Sequence, residues 1–151
     1  MTQIPAMKRR KVAIGCGAVL MLLALAIGFL NYAMFGDHSY HATDVPRHEF
    51  APASATSIEV YEARNLSGVV SLTYVVGEEE FRKFAAEKGW PLQTSSGAIT
   101  VHLPSDPYTK SRKLTHLESY LHYERRQSNG GGITVTYIPA ESRAYIDKSN
   151  R

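Results

Sequence analysis

The fold is decided at Ser128-Asn129-Gly130-Gly131-Gly132-Ile133-Thr134-Val135-Thr136-Tyr137. Ile133, Val135 and Tyr137 alternate with Thr134 and Thr136, the period of two expected where one face of a strand is buried. β-Branched and aromatic side chains suit a pleated surface, so this is the clearest strand in the chain. The glycine-rich run before it reads as a hairpin turn, which requires a partner strand immediately upstream. After it, Pro139 to Arg143 turns the chain, and Ala144, Tyr145 and Ile146 make a last short strand.

The upstream partner is ambiguous by itself. Thr115 and Glu118 could form a capping box over a helical stripe of Leu114, Leu117 and Leu121. With period two, Leu117, Leu121 and Tyr123 face inward while Glu118, His122 and Glu124 face out. The hairpin favours a strand over roughly Ser119–Arg126, following a polar loop from Pro104 to Lys113. Ile99, Val101 and Leu103, alternating with Thr100 and His102, predict another strand.

Further back lies the clearest helix. Glu78, Glu79 and Glu80 sit where the helix dipole favours acids. Phe81, Phe84 and Ala85 form a narrow apolar stripe, while Gly89 and Pro91 end the helix after Lys88. Trp90, just beyond, is expected to plug the core. Two strands precede the helix, one with Ile58 and Val60 on a shared face, the other with Val70, Leu72, Tyr74 and Val76. Strand, strand, helix and then strands joined by turns argue for the α+β class: a small antiparallel sheet over residues 56–151 with one packed helix at about 78–88.

The remaining 55 residues divide by charge and hydropathy. Lys8, Arg9, Arg10 and Lys11 form a block, and no acid occurs before Asp37. Of 17 basic and 14 acidic residues, 13 basic and all the acids therefore follow Gly36, leaving that portion at −1. A nucleic-acid surface needs clustered cations on the folded part, so that class is set aside. Residues 12–35 carry no charge and, at 1.5 Å per residue, span roughly 36 Å, enough for a hydrocarbon core of about 30 Å. They predict a single transmembrane helix in contact with the lipid bilayer. The basic tail at 1–11 is expected in the cytoplasm, and residues 36–151 outside it. Residues 36–55, interrupted by Pro46 and Pro52, read as a tether.

Three rival readings of the apolar segment are weaker. Ala24-Leu25-Ala26 resembles a signal-peptidase site, but the apolar run continues past it to Leu30. Cys16 follows a poor lipobox with only four residues after Lys11. A buried soluble helix does not fit 24 uncharged residues beside a basic block. Ala13 with Gly17 and Ala24 with Gly28 have the spacing that permits close helix approach, a possible route to self-association.

The residues offer few chemical constellations. One Cys excludes a disulfide framework and a Cys-rich zinc module. His38, His41 and His48 lie in the tether with nothing to hold them together as ligands. His116, Glu118, Tyr120, His122 and Glu124 would share one face of an extended strand and are the best candidates for an acid/base or metal site. Gly130-Gly131-Gly132 is followed by a strand and lacks the helix start of a phosphate loop. Asn65-Leu66-Ser67 is a plausible turn and fits a glycosylation sequon, meaningful only in a eukaryotic secretory route. No catalytic, cofactor-binding or metal-binding residue is assigned, and no enzyme activity is expected.

Tyr120 to Arg126, Gly130 to Tyr137 and Arg143 to Ile146, with the Glu79-Glu80-Phe81 start, carry one resemblance. Residues 53–151 are similar to bacterial membrane-anchored or lipoprotein-like extracytoplasmic domains that have no assigned activity. The resemblance implies the same architecture and a bacterial inner membrane, and supplies no site residues. The expectation is a binding or accessory module that meets a protein or other envelope component. The alternatives are a small envelope enzyme using the face at 116–124, or a membrane-complex subunit assembled through its helix.

Overall fold

A computed structural model describes residues 6–36, 39–63, 68–105 and 111–150, in two compact units that meet between Gly36 and Asp37. The first unit is α1, Ala6–Phe35. It is the one helix, among the described residues, long and apolar enough to cross a membrane, with a mean hydropathy of 2.0 over Gly17–Met34. Leu20, Leu22, Leu25, Ile27 and Phe29 are all exposed. Apolar residues surround the helix instead of forming one stripe, as befits a span or a signal sequence and not a surface helix. Nothing lies within 4 Å of where a Cβ would stand at Gly17 or Gly28.

The second unit is a seven-stranded antiparallel sheet with one further helix. The strands are β1 Ser39–Ala42, β2 Thr56–Ala63, β3 Val69–Val75, β4 Gln93–His102, β5 Ser111–Arg126, β6 Gly132–Ile138 and β7 Arg143–Ser149. Helix α2, Glu78–Glu87, follows β3, and a 3-10 turn, Pro139–Glu141, joins β6 to β7. The spatial order is β1-β2-β3-β7-β6-β5-β4, so the last strand completes the middle of the sheet.

Side-chain alternation sorts residues onto two faces. On the first, Leu72, Tyr74, Val135, Tyr137, Ala144, Ile146, Leu121, Ile58 and Val60 form the main core beneath α2. Phe81 and Ala85 descend from the helix, and the Phe81 ring stacks on Tyr137 at 4.6 Å. The Tyr137 hydroxyl donates to the Val76 carbonyl at 3.0 Å, so this ring is anchored at both ends. Gly77 caps the helix without a side-chain bond, and Glu78 pairs with Arg82 one turn on. At the other end Gly89 takes φ +70°, and the Trp90 amide donates to the Ala85 carbonyl, bringing the indole back onto the core.

The glycine-rich hairpin forms as expected. The Gly130 amide donates to the Gln127 carbonyl and the Gln127 amide to the Gly131 carbonyl. Gly132 opens β6 where a Cβ would strike the Arg125 carbonyl, which explains the third glycine.

Three expectations need correction. The stretch read as a tether contains β1, paired with β2 from Ser39↔Ala63 to Ala42↔Val60, and Phe50 is buried in the main core. β5 begins at Ser111, inside the stretch read as a polar loop, and residues 106–110 lie outside the described set. Lastly, Leu117 and Leu121 do not share a face. Between Leu114 and Leu121 the β4–β5 register shifts twice, with one extra residue on β5 at each shift. Each bulge reverses the alternation. Leu117 therefore packs with Val101 and Leu114, while Leu121 joins the main core.

Candidate functional site

Bulges also bend strands, and these position a cleft. Gly97 at φ +98° and His116 at φ +60° sit at the register shifts of β4 and β5. Beyond them the outer end of the hairpin reaches the second face of the sheet. There Val101 and Leu114 bury against Ile138 and Tyr145 in a smaller core. A three-residue clasp holds it: Arg112 pairs with Glu141 at 2.7 Å and donates to the Tyr145 hydroxyl, which itself donates to Glu141 at 2.9 Å. Burial, then the Glu141 carboxylate, push the Tyr145 phenol above its ordinary range.

Between this arm and the second sheet face lies a cleft of about 480 Å³. Its lining includes Ile99 to His102 of β4, His122, Glu124 and Arg126 of β5, Thr134 and Thr136 of β6, and Tyr145 and Asp147 of β7. That volume is within the range of small-molecule sites, roughly 300–1,000 Å³. Polar side chains make up most of that lining. His122 Nδ1 shares a hydrogen bond of 3.2 Å with Thr136 Oγ1. Glu124 binds Arg126, whose guanidinium holds that carboxyl below its ordinary range. Asp147 goes the other way: burial raises its carboxyl, opposed by the Ser71 hydroxyl and the nearby His102 ring. A carboxyl that is expensive to ionise, with two imidazoles lining the same cleft, can hold or exchange a proton with a ligand.

The expected His/Glu face is only partly realised. Tyr120 and His122 remain neighbours, their rings edge-on at 6.3 Å, and His122 and Glu124 line the cleft. His116 and Glu118 fall in the two bulges and are not part of the lining. Asp147 and His102 were missed, because their meeting in one cleft depends on β7 lying in the middle of the sheet and on the bent arm. Local alternation carries neither signal.

The tether histidines do not converge. His41 binds Glu59 of β2 at 2.9 Å, while His48 contacts Glu62 at 3.4 Å and accepts the Phe50 amide. His38 and the Asn65-Leu66-Ser67 sequon lie outside the described residues, as does the side chain of Cys16. Among the described residues no group of three His, Cys, Asp or Glu side chains could hold a metal ion. No protein-family model, no curated protein and no solved structure matches this chain.

Proposed function

We propose that α1 anchors this chain in a bacterial inner membrane, basic end inward. Residues 36–151 then act outside the cytoplasm as a ligand-binding accessory module of the envelope, with the Asp147 cleft as the binding seat. The observation that carries this reading is the cleft itself, roomy enough for a ligand and lined by polar side chains from four strands. The anchor is supported by the exposed apolar helix and by the four basic residues before it.

A photo-crosslinking residue at Thr134, inside the cleft, tests this in intact cells with the full chain. A matched probe at Glu79, on the exposed side of α2, serves as control. The reading expects an adduct from position 134 that is absent at 79 and lost when Thr136→Trp fills the cleft. Identical adducts at both positions, or none at 134, would contradict it.

An enzyme is the second reading, supported by His102 beside the raised Asp147 carboxyl. It predicts that His102→Ala and Asp147→Asn abolish the protein's cellular effect while the adduct at 134 persists. If both variants retain that effect, acid/base chemistry in the cleft is dismissed.

A further inference from the structure

On the main-core side of the sheet is a second, smaller cavity, of about 180 Å³. Its geometry follows from one row of the sheet. Ile133 pairs with Arg125 on one side and with Lys148 on the other, so both cations flank it on the same face. With strands about 4.8 Å apart, their backbones stand roughly 10 Å from each other. Lys88, at the C-terminal cap of α2, closes a third side. Phe50 and Trp90, both buried in the core, supply the aromatic part of the lining.

Among the described residues no acidic side chain offsets the cations of this cavity. Arg82, Arg112 and Arg126 each pair with a glutamate. Lys88, Arg125 and Lys148 form no ion pair among the described residues, and no acidic side chain lines the cavity. The two lysines instead lie over aromatic rings: Lys148 Nζ is 4.9 Å from the Phe50 centroid, and Lys88 Nζ is 5.9 Å from it. The dipole at the end of α2 accounts for Lys88 alone. It leaves Arg125, which is exposed, and Lys148, which is half-buried, without a counter-charge, so the concavity carries a positive potential that favours an anion. Gln127 and Asn150 add side-chain amides to the same lining.

We propose that this cavity binds a phosphoryl group. The Arg125 guanidinium offers a planar fork for two oxygens, while Lys88 and Lys148 contribute point charges. A phosphate monoester carries about −1.5 to −2 at pH 7 and matches three cations better than a single carboxylate does. The cavity is smaller than the roughly 300 Å³ at which whole-ligand pockets begin, so it takes the head of a ligand and leaves the remainder in solvent. That head can come from free phosphate and its soluble monoesters, or from a phospholipid headgroup, whose phosphodiester offers two free oxygens to the Arg125 fork but only one charge.

Trp90 is the only tryptophan in the chain and lines the cavity, so its emission reports occupancy directly. The full chain in phosphate-free maltoside detergent is titrated with sodium phosphate, and in parallel with sodium chloride at matched ionic strength. Phosphate should give a saturable change that chloride does not, weakened at least tenfold by Arg125→Gln or Lys148→Gln. A parallel titration with dihexanoylphosphatidylglycerol assigns the source. Tighter saturation by the lipid indicates a headgroup site, and equal or weaker saturation indicates a free-phosphate site. No response to either ligand, or an undiminished response in the Arg125→Gln/Lys148→Gln double variant, overturns the proposal. Should the double variant fail to fold, Lys88→Gln at the exposed helix end gives the same reading, and an unweakened response there overturns it equally.

Discussion

Asp147 sets a carboxyl where the sheet takes it partly out of water. Because burial raises its carboxyl pKa, the folded chain takes up this proton more readily than the unfolded chain does. Its contribution to stability therefore increases as pH falls through the folded value, and is complete below the unfolded one. At pH 7 the half-buried group is therefore a net cost. Asp147→Asn should raise the melting temperature of the full chain at pH 7, with the gap from wild type narrowing toward pH 4. A gap constant across that range would contradict the assignment. Tyr74 presents a related case without a charge. Its hydroxyl is buried and, among the described residues, has no hydrogen-bond partner, and burial pushes its phenol pKa up. An unsatisfied buried hydroxyl costs about 1–3 kcal/mol, so Tyr74→Phe should be neutral or stabilising by up to that amount in denaturant unfolding. Destabilisation by more than about 1 kcal/mol would reveal a missing partner.

Among the elements, α2 and the β5–β6 hairpin could be read from sequence because their signals are local. Glu78 to Glu80, the Phe81–Ala85 stripe and the Gly89-Trp90-Pro91 exit need no knowledge of the remainder of the chain, and Gly130 to Gly132 fix the turn in the same way. Phe81 sits at 0% exposure under the helix and stacks on Tyr137, so Phe81→Ala should cost about 3–5 kcal/mol by thermal or chemical unfolding. What sequence could not give was the β4–β5 arm. Its two bulges turn one apparent stripe, His116 to Glu124, into residues aimed in different directions. β1 escaped for a different reason. Four residues set among polar neighbours ahead of Pro46 have no apolar period, and only pairing with β2 makes them a strand. The clasp of Arg112, Glu141 and Tyr145 holds the bent arm in place. Glu141→Ala should speed amide exchange in β4 and in the outer half of β5 while leaving β3, β6 and β7 protected. Uniform exchange across the sheet would mean that the arm does not open as a unit.

For the molecule as a whole, the division at Gly36 and Asp37 separates two physical regimes. One is a helix whose apolar residues surround it without protein to cover them; the other is a sheet with its own core. Exposed apolar surface on this scale requires lipid, a partner or removal by processing. The composition of that helix was plain from sequence, because 24 consecutive uncharged residues leave little choice. The cleft and the cationic cavity depend instead on the last strand entering the middle of the sheet, a long-range pairing that local patterns do not encode.

Both proposed sites act where the account places them only if the helix remains in a lipid bilayer and the domain emerges on its far side. Fractionation of cells expressing the chain with an alkaline-phosphatase domain fused after Arg151 measures this directly. The expected result is an active phosphatase on a full-length product that resists carbonate extraction. An inactive fusion whose green-fluorescent counterpart glows in the cytosol, or a soluble product beginning near Ile27, would contradict the account.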